Sequence, residues 1–251
     1  MALPLQGLRV IDLTQDFAGP FCTMMLSDLG AEVIKIEKPE GGDETRAWGP
    51  PFIGGVSYYF QALNRGKKSV VLDLEKPEGR RIIRKLVVDA DIFVESSRPG
   101  RMGRFGLDYS KLRRISKALV YCSISGFGQT GPYRDRSGYD IIALAMSGIM
   151  ASTGEEGRPP IRMSVPVADL AAGHYASTAI LAALSRRLVT GAGDYIDILL
   201  HDAIVSWLTY LASYYFATGK EPRRFGSAHP SIVPYQAFRC RDRDLVLAIG
   251  N

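Results

Sequence analysis

Five short β-branched runs, separated by stretches of helical periodicity, set the tightest limit on what this chain can fold into. LRVIDL (8–13), EVIKIE (32–37), KSVVLDL (68–74), DIFVES (91–96) and LVYCSIS (119–125) read as strands. Between them, GPFCTMMLSDLG (19–30) and KPEGRRIIRKLVVDA (76–90) space their apolar residues as one face of a helix does. A strand followed by a helix and another strand returns to the same end of the sheet, so the strands must run parallel. The result is an α/β fold. Pro20 falls in a first helical turn, where its missing N–H removes nothing, and Gly30 falls where a left-handed C-terminal cap is needed.

The second half continues the pattern. YDIIALAMSGIMAST (139–153) is predicted as one further buried helix, TGEEGRPPIR (153–162) as a loop, and a long Ala-rich helix follows from Asp169. DYIDILL (194–200) reads as a strand and HDAIVSWLTYLASYYFATG (201–219) as one long helix. SAHPSIVPYQAF (227–238) and DLVLAIG (244–250) begin something new, and a strand ending the sequence is left without a partner. Residues 1–220 are therefore expected to form one large domain, and 221–251 a linker and the beginning of a second, smaller one.

Composition narrows the function. Hydrophobic residues make up 46% and charged residues 23%, proportions that fill a core and exclude a disordered tail. Cys22, Cys122 and Cys240 lie far apart and cannot all pair, which argues for a reducing compartment. MALPLQGLRVIDL lacks the features of a targeting leader, so cytoplasm is the expected location. The longest apolar stretches, 141–151 and 170–185, fall short of the ~20 residues a bilayer needs, and no membrane partner is expected. A net charge of +5 implies an anionic partner without naming it. Nucleic acid is disfavoured, because the basic segments fall on separate loops without interleaved aromatics.

In VPVADLAAG (165–173), Asp169 is the only charged residue between Arg162 and His174. Position alone favours a helix N-cap. A carboxylate among apolar neighbours at a helix start is also a candidate nucleophile, kept ionised by the dipole and poorly solvated. Arg98, Arg101 and Arg104, interspersed with Gly100, Gly103 and Gly106, suit phosphate oxygens, as do Arg65, Lys67 and Lys68; a solvated basic surface is the alternative. His174, His201 and His229 show no ligand spacing with the cysteines, so no metal is expected. No G-x-S-x-G elbow occurs, and TQDFAGP stands where a dinucleotide fingerprint would follow the first strand. His174 reads as a core histidine, and Trp48, Tyr58, Tyr59 and Phe60 read as packing residues.

Taken together, LRVIDLTQDFAGPFCTMMLSDLGAEVIKIEKPEGGDETR, SVVLDLEKPEGR, SRPGRMGRFGLDY, YCSISGFGQTGPY, SGYDIIA and VPVADLAAG make the chain resemble the family III CoA-transferases, in order and over essentially its whole length. The resemblance implies a Rossmann-like parallel sheet flanked by helices, with only the start of a second, smaller domain. It implies transfer of CoA from an acyl-CoA to a carboxylic acid through a covalent aspartyl intermediate, with Asp169 as nucleophile. Coenzyme A would enter as substrate, and no metal is implied. By motif, CoA would meet Phe17, Ala18, Lys38, Leu72, Ser96, Ser97, Arg98, Arg104 and Tyr139, with Lys38, Arg98 and Arg104 on its phosphates.

TRAWGPPF (45–52) and FGSAHPSIVPYQAFR (225–239) point within that family to dicarboxylic acyl groups. Racemases of the family carry a histidine base where Tyr139 stands, and a phenol with a pKa near ~10 is a poor base at neutral pH, so transfer is expected over racemisation. Members that act on a formyl group carry a glutamine where Phe17 stands, which disfavours formyl and oxalyl substrates. Family members are longer than this chain, and their remaining segment interlocks two subunits. The expected partners are a second copy in a homodimer, or a second polypeptide completing the site. The alternative reading is a shortened homologue that binds CoA without turnover.

Overall fold

The computed structural model describes residues 2–250. The first half runs β1 (Arg9–Leu13), α1 (Ala18–Asp28), β2 (Glu32–Glu37), β3 (Phe52–Ile53), β4 (Val56–Ser57), α2 (Tyr58–Asn64), β5 (Lys68–Val71), α3 (Pro77–Val88) and β6 (Ile92–Glu95). Then follow α4 (Arg101–Phe105), α5 (Tyr109–Leu112), β7 (Val120–Ser125), α6 (Asp140–Met146), α7 (Ile149–Ser152) and α8 (Val167–Thr190). The rest comprises β8 (Tyr195–Leu199), α9 (Leu200–Val205), α10 (Tyr210–Thr218), β9 (Tyr235–Arg239) and β10 (Asp244–Ala248).

Six parallel strands form the main sheet in the order β5-β2-β1-β6-β7-β8. Its central strands do not alternate apolar with polar residues, because both faces are covered. Successive residues feed opposite layers: Val10 and Ile92 pack with α1 and α8 on one side. Ile11 and Phe93 pack with α3 and α4 on the other. The strand order reverses between β1 and β6, where Val10 pairs with both Val33 and Ile92. Connections from these two strands leave in opposite directions and open a crevice at their carboxyl ends, the usual ligand position in such sheets.

The expected strands are all present, with KSVVLDL contributing only Lys68–Val71. Three other expectations require correction. The helix expected over 139–153 is two, α6 and α7, broken at Gly148, whose φ is +88°. The helix expected over 201–219 ends at Val205 and resumes at Tyr210 after Thr209, which adopts φ +44°. The final strand does have a partner, since β10 pairs antiparallel with β9, Val246 opposite Ala237. α8 extends beyond the apolar stretch 170–185 at both ends and has 24 residues, with the length and hydropathy of a membrane span. Its small residues Ala168, Ala171, Ala172 and Ala176 are nonetheless buried in the protein core.

Candidate active site

Asp169 is not the N-cap of α8. Pro166 holds that position and Asp169 lies in the first turn. Capping comes instead from Asp140, at the start of α6, whose carboxylate accepts the Ala168 N–H at 2.9 Å. Asp140 also pairs with Arg162 Nε at 3.4 Å. With the Ala168 N–H held by Asp140, the Asp169 carboxylate is not drawn into capping that amide.

A glycine aims it. Gly173 lies one turn after Asp169, and positions four apart share a helix face. A Cβ at Gly173 would come within 2.8 Å of the Ala18 carbonyl oxygen and 2.7 Å of the Phe21 ring. Only glycine therefore lets α8 approach the first turn of α1 this closely, and the approach sets Asp169 facing the Ala18 N–H. Phe17, the N-cap of α1, supplies no side-chain cap, and Pro20 has no N–H. The α1 amino end thus meets the crevice with uncapped amides, an environment that favours anions.

Burial raises the Asp169 carboxyl to about 7, reinforced by the negative charges of Asp140 and Asp16. The Ala18 N–H and Arg162 act in the opposite direction without cancelling the rise. One flank of Asp169 remains open to a cavity of about 420 Å³ at the crevice. Phe17, Trp48 and Tyr59 wall this cavity with aromatic rings, Tyr59 lying edge-on to Trp48 at 4.9 Å between centroids. Burial, then Asp169 and Asp16, pushes the Tyr59 phenol up to about 12, so it remains protonated beside the carboxylate.

Asp16 also lines the cavity, in a left-handed conformation at φ +66° that aspartate tolerates better than most residues. Burial, then Asp43 and Glu44, raises its carboxyl to about 6, and its Oδ1 has no hydrogen-bond partner among the described residues.

The loop carrying Asp16 and Phe17 rests on buried ion pairs. Lys67 Nζ lies 3.2 Å from Asp12 and donates to the Pro20 carbonyl at 2.9 Å. Lys35 pairs with Asp43 at 2.8 Å and donates to the Thr14 carbonyl at 2.8 Å. Although burial opposes ionisation, Lys67 and Lys35 hold the Asp12 carboxyl well below its ordinary range. Of the two readings of these basic residues, Lys67 fits neither, while Arg65 and Lys68 lie on a solvated basic surface. Lys67 is buried and paired, Arg65 bonds Asp28, and Lys68 bonds Glu32.

The residues singled out by motif divide between two adjoining cavities. Phe17, Ala18, Ser96, Ser97, Arg98, Tyr139 and Asp169 line the first. Lys38 and Leu72 line a second, of about 180 Å³, which shares Gln15 and Ser97 with the first. Ser96 joins the two sides of the crevice by accepting the Gln15 N–H at 2.9 Å. Arg104 lines neither cavity, whereas Arg101, one helical turn earlier, lines the second.

Sequence reasoning missed Asp16, Asp140 and Arg162 and treated Trp48 and Tyr59 as packing. Nothing local in the sequence marks Asp140 as the cap of a helix 28 residues away. His174 is not a core residue: it is exposed, lies tilted against the Phe21 ring at 5.0 Å between centroids and bonds the Leu170 carbonyl. Among the described residues no cluster of metal-ligating side chains occurs.

The profile of CoA-transferase family III matches residues 5–251. Succinyl-CoA:glutarate CoA-transferase of Mus musculus is 50% identical over 248 residues, covering 99% of this chain and 57% of that protein. Succinate--glutarate CoA-transferase of Agrobacterium fabrum is 46% identical over 254 residues, covering 99% of this chain and 64% of that protein. A crystal structure of a CAIB/BAIF family protein from Brucella suis superimposes with a TM-score of 0.94 at 46% identity, covering all of this chain and 67% of that one. The chain therefore spans less than two thirds of the length of these two curated relatives.

Proposed function

The chain belongs to CoA-transferase family III, and from that premise we propose that it moves CoA from an acyl-CoA to a carboxylic acid, with Asp169 as the covalent nucleophile. One observation carries the reading: a poorly solvated carboxylate, raised to about 7, faces the amino end of α1 at the sheet's switch point. A carboxylate with raised basicity is a better nucleophile once ionised.

Asp169 Oδ attacks the thioester carbonyl, the C–S bond breaks, and a mixed anhydride and CoA thiolate result. The thiolate then attacks the aspartyl carbonyl of the anhydride, releasing the donor acid and leaving an aspartyl-CoA thioester. The acceptor carboxylate attacks that thioester and expels the thiolate, which attacks the acceptor's acyl carbon and frees Asp169. Each displacement has a thiolate or carboxylate leaving group. Negative charge that develops on the attacked carbonyl oxygen is met by the positive amino end of α1, where the Gly19 N–H has no capping side chain. Phe17, Trp48 and Tyr59 limit the water that would otherwise hydrolyse anhydride and thioester.

The second cavity, with Lys38 and Arg101 at its edge, suits the nucleotide end of CoA, and Ser97, shared by both cavities, lies on the route of its pantetheine arm. The two relatives, named for succinate and glutarate, support dicarboxylic acyl groups. A second polypeptide surface belongs to the same reading. α10 buries none of its residues and Phe216 is 82% exposed, an apolar surface that suits a partner such as a second copy of the chain.

The test is exchange of labelled succinate into succinyl-CoA. Label should enter the thioester with the native chain, and Asp169→Asn should abolish incorporation. Undiminished incorporation by Asp169→Asn would refute the assignment.

A further inference from the structure

Three carboxylates, Asp16, Asp140 and Asp169, line the main cavity, and a dicarboxylic acyl group would bring a fourth. At low effective dielectric, that approach is unfavourable without a cation near the reacting carbon. Several arginines rim the cavity, but most are engaged away from Asp169. Arg98 contacts the Ser137 hydroxyl at 3.5 Å, Arg134 pairs with Asp135 at 3.4 Å, and Arg136 covers the Tyr133 ring.

Arg162 differs. Its Nε meets Asp140 at 3.4 Å, and the same carboxylate holds the Ala168 N–H at 2.9 Å. One acidic side chain thus fixes the guanidinium relative to the first turn of α8, the turn that carries Asp169. Neither terminal nitrogen of Arg162 has a hydrogen-bond partner among the described residues, and the side chain is 42% exposed on the cavity wall. Its charge acts on both Asp169 and Tyr59, which places it within electrostatic reach of the nucleophile and the aromatic wall. The two free nitrogens of a guanidinium form a planar fork that matches a carboxylate.

We propose that Arg162 binds the distal carboxylate of a dicarboxylic acyl group whose other end is presented to Asp169, and so sets the preference for diacids over monoacids. The methylenes between the two ends lie along the wall made by Phe17 and Tyr59. This inference rests on the CoA-transfer reading, so its test must separate the two.

Succinyl-CoA and butyryl-CoA have the same chain length and differ by a carboxylate in place of a methyl group. Their dissociation constants are measured by calorimetry in an Asp169→Asn background, where acyl transfer cannot consume them, with and without Arg162→Gln or Arg162→Lys. Arg162→Gln should weaken succinyl-CoA about tenfold, as loss of one partly exposed charge-assisted contact does, and leave butyryl-CoA within about twofold. Arg162→Lys, which keeps the charge but not the fork, should fall between. Equal weakening of both thioesters, or of neither, overturns the inference while the CoA-transfer reading stands. Failure of both thioesters to bind the Asp169→Asn parent overturns that reading and this inference with it.

Discussion

Replacing Asp169 should make the protein more stable, by an amount that depends on pH. The Asp169 carboxyl rises from the ordinary 3.8 to about 7 on folding, with burial as the largest cause. Below pH 3.8 the group is protonated in folded and unfolded chains alike and contributes nothing. Between 3.8 and about 7 the unfolded chain ionises while the folded chain holds its proton, so stability falls as pH rises. Above about 7 both forms are ionised and the full penalty is reached. That rise corresponds to about 4 kcal/mol. The water-facing flank of Asp169 reduces it, giving ~2–4 kcal/mol. Asp169→Asn has nearly the same shape without the charge. Its stability advantage in urea denaturation should be largest at pH 8 and shrink by about 2 kcal/mol on going to pH 5. An Asn variant no more stable than the parent at pH 8, or an advantage independent of pH, would refute the claim that Asp169 is a strained, desolvated carboxylate.

Three further outcomes follow from the same geometry. Gly173→Ala forces a methyl group against the Ala18 carbonyl, so urea denaturation should show a loss of about 1–3 kcal/mol, and succinate exchange should fall because α8 and α1 separate. Lys67→Met removes the direct ion-pair partner of the buried Asp12 and should lower stability by about 3–5 kcal/mol, whereas Lys68→Met at the exposed Glu32 pair should change it by less than about 1 kcal/mol. The rate of Asp169 acylation by an acyl-CoA should rise with pH and level off above about 7, because the ionised form attacks. A profile flat from pH 5 to pH 8 would contradict this order of protonation.

The sheet was legible because burial on both faces favours apolar runs, and DIFVES carries one, whereas Lys35 interrupts the run of EVIKIE and is buried only because Asp43 pairs with it. Asp169 was legible as a lone charge before an apolar helix, and its neighbours were not. Asp140 lies 28 residues from Ala168 and 22 from Arg162, and meets both only through tertiary folding. Helical periodicity continues through Gly148 and Thr209, so the breaks there depend on local φ values that the apolar pattern does not encode. Lys67 shows the same limit from the other side. In NRGKKS it is indistinguishable from Lys68, yet strand position buries one beside Asp12 and leaves the other on the surface.

The account depends most on a covalent bond forming at residue 169. Incubating the chain with succinyl-CoA, quenching with hydroxylamine and sequencing the peptides by mass spectrometry reads that bond directly. The prediction is a hydroxamate on Asp169 that appears only when the thioester is present. A thioester that binds and leaves Asp169 unmodified, or a hydroxamate on another carboxylate, would contradict it.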